Sequence, residues 1–345
     1  MFLAMVKELE LRKSELPDGL LHSIYFGGGT PSLLSHEDVN EMLNAVAKHF
    51  SFYKDIEITL EMNPDDCELN YLKQIKAAGV NRLSMGIQSF IERELKQMNR
   101  VHSAKEALVA MDDVASTFEN FSMDLIYGMP QSELSDWQYN LHRALSFSPP
   151  HLSSYALTVE PKTTLAKQVE KGEVQLLDEG KVVSQFDQMV TSLTQEGYVH
   201  YELSSFGKEG FFSKNNTAYW EGKPYLGIGP SAHSFFNQQR SWNIANNAKY
   251  IRAINKGEPA IERENLSKID QYNEYVMTGL RTIKGVDLGH IQLRFGDRFA
   301  TLFESQVEQH IVQQNLFWDG DVVKVTQKAK FLVDGIASDL FLLNL

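Results

Sequence analysis

The chain has 345 residues, of which 43% are hydrophobic, 23% charged and 11% aromatic, the make-up of a globular protein with one large core and a smaller second domain. A formal net charge of −12 argues against a partner dominated by a phosphate backbone, so nucleic acid is disfavoured. The single cysteine, Cys67, excludes an intrachain disulfide and a cysteine-held metal cluster built from this chain alone, and it suits a reducing, cytoplasmic setting.

Met1 to Leu11 reads as a helix rather than a leader, with Phe2, Val6 and Leu9 on one face and Lys7, Glu8 and Glu10 elsewhere. No run of about 18 apolar residues occurs, so no membrane span is expected. From residue 23 to residue 204, short β-type runs alternate with helical patterns, which predicts βα units around a parallel sheet. The strands are expected at Ser23 to Phe26, Ile56 to Glu61, Arg82 to Ile87, Phe121 to Tyr127, Leu152 to Thr158 and Tyr198 to Leu203. Between them, Ser35 and Asp38 form a helix start, and Gly79 and Gly197 suit the left-handed position that ends a helix.

Polar residues recur where these strands end: Gly27 to Thr30, then Glu61 and Asn63, Gln88 and Ser89, Asp124 and Tyr127, and Tyr155. In a (β/α) barrel the strand C-termini share one mouth, so these groups are expected to converge on a pocket. The βα rhythm stops near residue 205, and a Gly, Pro and aromatic-rich stretch runs from Phe206 to Phe236. Beyond it, helices at Tyr272 to Arg281, His290 to Arg294 and Phe299 to Gln313 precede a hairpin of Leu316 to Trp318 with Val322 to Val325, and a last helix follows. That is a winged-helix-like pattern, but residues 266–345 hold 8 Lys and Arg against 10 Asp and Glu, which does not favour DNA.

The strongest local signal is Ile24-Tyr25-Phe26-Gly27-Gly28-Gly29-Thr30-Pro31-Ser32, a strand running into three glycines. It is neither a P-loop nor GxGxxG. This run resembles the GGGTPS motif of the oxygen-independent coproporphyrinogen III oxidase and heme chaperone group of radical S-adenosylmethionine (SAM) proteins. The resemblance continues in order through Leu60 to Pro64, Arg82 to Phe90, Asp124 to Pro130, Ser154 to Leu157, Tyr219-Trp220, Gly227 to Phe235 and Asn273 to Arg281.

The resemblance implies an α/β fold, an incomplete (β/α) radical SAM barrel of parallel strands over residues 1–205. A connecting segment (206–240) and a smaller α+β winged-helix-like domain (241–345) follow. It implies SAM at the barrel mouth, with Gly28, Gly29 and Thr30 at the methionine moiety, Glu61, Gln88, Arg100 and Asp124 as further contacts, and Ala156 against the adenine. Taken alone, Asp124 also reads as a strand cap and Arg100 as a surface ion-pair partner.

Two departures qualify the carry-over. The group holds a 4Fe-4S cluster through a CxxxCxxC loop ahead of the glycine motif, and Cys67 cannot replace three thiolates. The expectation is a shortened chain or a late start codon, with no reductive SAM cleavage by the chain as given. The group's chaperones also resemble one another in a His-Asn-x-x-Tyr heme motif. Here Asn215 stands in the histidine position, followed by Asn216, Tyr219 and Trp220. Tyr219 and His233 remain heme-ligand candidates, although His233 equally suits a packing role in a tight loop. The leading expectation is a heme chaperone that passes heme to an acceptor protein. Oxidative decarboxylation of coproporphyrinogen III and a cluster-free binding module are the alternatives.

Overall fold

The computed structural model describes residues 1–16 and 19–343. It comprises two compact units, one of Ser23–Asn40 and Glu57–Ser213, the other of Met1–His22, Glu41–Ile56 and Lys214–Leu345. Seven strands make the main sheet: β1 (Leu20–Phe26), β2 (Ser51–Met62), β3 (Arg82–Gln88), β4 (Phe121–Tyr127), β5 (His151–Ala156), β6 (Val199–Glu202) and β7 (Ser205–Gly207). Their spatial order is β1-β2-β3-β4-β5-β7-β6, a mostly parallel half-barrel. Helices α1 (Phe2–Arg12) and α2 (His36–Ala47) precede β2. Then α3 (Leu69–Ala78), α4 (Glu92–Gln97), α5 (Ala104–Thr117), α6 (Leu134–Ser146), α7 (Thr164–Glu170) and α8 (Glu179–Gln195) fill the connections.

The parallel ladders β2–β3, β3–β4 and β4–β5 put residues of like chemistry side by side. Leu60 lies opposite Leu83 and Met85 opposite Met123, all buried on one face. On the other face Glu61 lies opposite Ser84, Ser84 opposite Ser122, Ser122 opposite His151 and Asp124 opposite Ser153. A parallel sheet sealed on both faces is built from near-continuous apolar runs. Here the alternation leaves one face apolar for the helices and the other polar.

The cap signals hold. Ser35 and Asp38 bond reciprocally, the Ser35 N–H to the Asp38 carboxylate and the Asp38 N–H to Ser35 Oγ. Gly79 and Gly197 sit at φ of 118° and 77° just past their helices. The sixth expected strand, Tyr198 to Leu203, does not extend the parallel series. The three-residue β7 inserts beside β5 and pairs antiparallel with both β5 and β6. A tight Leu203–Ser204 reversal makes this possible, and a three-residue strand carries too little periodicity to be read from sequence.

In the second unit, α9 (Lys214–Trp220), β8 (His233–Phe236), β9 (Gln239–Asn243), α10 (Asn247–Lys256) and β10 (Ile261–Asn265) precede the C-terminal elements. Strands β10-β9-β8 form an antiparallel sheet. Then come α11 (Lys268–Leu280), β11 (Val286–Asp287), α12 (Leu288–Phe295), α13 (Asp297–Val312), β12 (Leu316–Asp319), β13 (Val322–Val325) and α14 (Val333–Asp339). The expected hairpin is present, and β11 adds a third strand to it in the order β11-β13-β12.

Helix α1 forms as expected, with Leu9 of the expected face buried and Phe2 and Val6 half-buried, but it buries more than that face. Ala4 packs with Tyr250 and Ile254, while Glu8, Leu9 and Arg12 are also buried. Glu8, which the sequence places off that face, is fully enclosed, and Arg12, Asn243, Tyr250 and the Gly229 N–H all bond it.

Candidate functional site

The glycine motif leaves β1 and reaches straight across to β2. Tyr25 donates its phenol to Glu61 Oε1 at 2.8 Å, and the Gly28 N–H donates to Glu61 Oε2 at 3.2 Å. Gly28 holds φ at 78°, a conformation that glycine adopts without a Cβ penalty. A Cβ added at Gly28 or Gly29 would meet nothing within 4 Å, whereas one at Gly27 would lie 2.5 Å from the Tyr25 ring. Thr30 is exposed and opens the short turn that follows.

At the end of β3, Gln88 adopts φ of 66°, unusual for a residue with a side chain. A buried set of hydrogen bonds holds the loop just beyond it. Ser89 and Asn140 both donate to Glu94 Oε2, and the Phe90 N–H donates to Asn140 Oδ1 at 2.7 Å. Arg100 donates to Asn63 Oδ1 at 2.7 Å and to the Gly86 carbonyl at 3.0 Å. Gln88 and Arg100 therefore close over the same glycine, where a Cβ would sit 3.0 Å from Gln88 Nε2 and 3.3 Å from Arg100 Nη2.

Asp124 lies deeper, midway along β4, and accepts from Ser84 Oγ at 3.1 Å. Burial pushes its carboxyl up to about 6, an effect that Arg82 and Ser84 oppose and Glu61 reinforces. Below it, His151 joins Ser122 and Tyr201, each at 2.7 Å, and burial holds its imidazole well below the usual histidine range. Ala156 ends β5 opposite Tyr127. Glu61, Gln88 and Ala156 thus occupy the C-terminal ends of parallel strands, with Asp124 on the strand between the last two. An open groove of about 460 Å³ lies beside the motif, lined by residues that include Ser32, His36, Asp65 and Tyr71, and contains none of these four.

Cys67 is the sole thiol of the chain. Its Sγ lies 3.7 Å from the Ala110 carbonyl, and burial pushes the thiol up to about 12, so it stays protonated. Among the described residues no group of three His, Cys, Asp or Glu is arranged to hold a metal ion.

The second set of residues lies on one face of the β8–β9–β10 sheet. His233 is opposite Trp242 and Phe235 opposite Arg240, so these four share a face, while Ser234, Ser241 and Asn243 are buried on the other. Tyr225 bridges to Phe235, and Tyr219 packs edge-on against Tyr225 with ring centres 4.6 Å apart. Asn215, one turn before Tyr219 on α9, hydrogen-bonds the Tyr219 phenol, and Asn216 sits beside it. His233 is exposed and stacks on Trp242 with centres 5.9 Å apart. Tyr219 thus meets the rings of Tyr225 and Phe235, and His233 lies two residues before Phe235 on the same face of β8. Sequence reading missed Tyr225, Phe235, Arg240 and Trp242 because only strand register brings them together; Tyr25 and Ser84 were missed for the same reason.

The profile of the Radical SAM superfamily matches residues 5–143, and that of the HemN C-terminal domain matches residues 266–332. The chain is 35% identical to the heme chaperone HemW of Haemophilus influenzae over 97% of this chain and 86% of that one. It is 32% identical to HemW of Bacillus subtilis over 93% and 85%. It is 34% identical to the mouse mitochondrial radical S-adenosyl methionine domain-containing protein 1 over 87% and 71%. Among solved structures, Escherichia coli coproporphyrinogen III oxidase (HemN), a radical SAM enzyme, superposes with a TM-score of 0.83 at 22% identity, over 98% of this chain and 82% of that one, which establishes the shared fold. Identity at this level across nearly the full length, on this half-barrel, places the chain in the HemW family of heme chaperones within the radical SAM superfamily.

Proposed function

We propose that this protein carries heme as cargo to an acceptor protein in the cytoplasm and binds SAM at the strand ends of its half-barrel. The observation that carries the cargo reading is the cluster of rings around β8 and β9, where Tyr219, Tyr225 and Phe235 meet in series and His233 stacks on Trp242 on the same sheet face as Phe235, with an oxygen and a nitrogen donor among them. No helix among the described residues is long and apolar enough to cross a membrane.

The residues at the strand ends suit SAM. The backbone at Gly28 and Gly29 is open to a ligand, and Glu61, Gln88, Arg100 and Asp124 offer the acceptors and donors that a methionine zwitterion and a ribose diol require. Bound beside a reduced cluster, SAM supplies radical chemistry. The residues of this sequence do not fit that cluster, since one protonated cysteine cannot provide three thiolates. The role proposed for this chain rests on binding alone.

Heme titration followed by Soret absorbance tests the cargo reading. His233→Ala and Tyr219→Phe should each weaken binding about tenfold or shift the band, as loss of an iron donor does. Wild-type affinity and spectrum in both variants would remove the assignment. Equilibrium dialysis with SAM should show binding that Glu61→Gln weakens; equal binding by both proteins would reject the strand-end site.

A further inference from the structure

Two arginines stand near these rings. Arg240 lies directly across from Phe235 and pairs with Glu274 at 2.8 Å. Arg281, two helical turns after Glu274, lays its guanidinium 5.2 Å over the Trp220 ring and pairs with Asp334 at 3.0 Å. Both guanidinium groups remain within reach of solvent, at 35% and 25% exposure. Two acids of the third strand lie on the same face. Glu262 accepts the Trp242 indole N–H, and Glu264 lies opposite Arg240.

Aromatic carbon explains an affinity for the porphyrin plane but not a choice among porphyrins. A planar guanidinium held to a carboxylate by a single N–H, as both of these are, keeps further N–H donors that can receive another carboxylate. We propose that Arg240, assisted by Arg281, receives the carboxylates of the tetrapyrrole cargo and so makes the site selective for a dicarboxylate porphyrin over its neutral ester. This rests on the cargo reading above. In the empty protein Glu274 and Asp334 hold the two guanidinium groups in place; on loading, the cargo's carboxylates replace them or join them.

The test compares heme with heme dimethyl ester, whose ring and iron are the same but whose carboxylates are masked. Arg240→Gln should weaken heme binding about tenfold, in line with losing one charge-assisted hydrogen bond, and leave ester binding within about twofold. Arg281→Gln should act in the same direction, more weakly. Glu274→Gln, which frees Arg240, should tighten heme binding and leave the ester unaffected. Equal losses for heme and ester in Arg240→Gln, or no loss for either, would overturn the proposal, as would a Glu274→Gln variant indistinguishable from wild type. A wild-type protein that discriminates heme from its ester by less than about twofold would also overturn it while leaving the cargo reading in place. Wild type binding neither would sink both.

Discussion

Glu8 and Arg12, one turn apart on α1, form a buried ion pair at 2.7 Å, with side-chain exposures of 0% and 2%. The pair is fully served. Glu8 also accepts from Asn243, Tyr250 and the Gly229 N–H, while Arg12 donates to the Gly227 carbonyl, Ser234 Oγ and Glu15. The loop that presents His233 is therefore tied at both ends to one helix. Removing one partner leaves an uncompensated buried charge, which costs about 3–5 kcal/mol. Arg12→Met should lower stability to urea by that amount, whereas Glu8→Leu with Arg12→Met together should cost much less. A single variant within about 1 kcal/mol of wild type would show that the pair contributes little.

Gly227 is the tightest point of the same loop, since a Cβ there would lie 2.0 Å from the His233 carbonyl oxygen. The neighbour is backbone and cannot rotate away. Gly227→Ala is expected to destabilise by roughly 2–4 kcal/mol and to weaken heme binding through the displaced His233 strand. Thermal unfolding and heme titration of the variant check both, and an unchanged melting temperature would contradict the geometry.

Asp124 links stability to pH. Its carboxyl stands at about 6 in the folded chain against 3.8 ordinarily, so the folded state holds the proton more tightly. The resulting cost is absent below about pH 4, grows as pH rises through the interval, and is complete above about 6. Asp124→Asn should therefore raise stability at pH 7.5 by roughly 1–3 kcal/mol, change little at pH 4, and weaken SAM binding. Urea unfolding at the two pH values reads the first effect, and equal shifts at both would refute the burial argument.

Asn215 occupies the position where the resemblance places a histidine, and it spends its side chain on the Tyr219 phenol. An amide is a poor donor to ferric heme, whereas an imidazole is a strong one. Asn215→His should tighten heme binding and move the Soret band toward that of an imidazole-bound iron. An unaltered band and affinity would mean that residue 215 does not approach the iron.

Much of the scaffold was legible in the sequence because its determinants are local. β4 runs from Phe121 to Tyr127 as its alternation indicated, Ser35 and Asp38 cap α2 through bonds spanning three residues, and the Leu316–Asp319 hairpin follows its turn. The placement of Glu61, Gln88 and Ala156 at strand ends follows from the same βα rhythm. Tertiary structure decided what depends on partners distant in the chain. The sequence places Glu8 only off the apolar face of α1, and its burial comes from Asn243 and Tyr250, which arrive from 235 and 242 residues away. The three residues of β7 become a strand only because β5 and β6 accept them. Arg240 meets Phe235 and Glu274 through strand register and helix placement, which no local pattern encodes. Periodicity and caps act over a few residues and are written in them, whereas burial of charge, strand insertion and the pairing of cations with aromatic faces are properties of packed surfaces that exist only once the chain has folded.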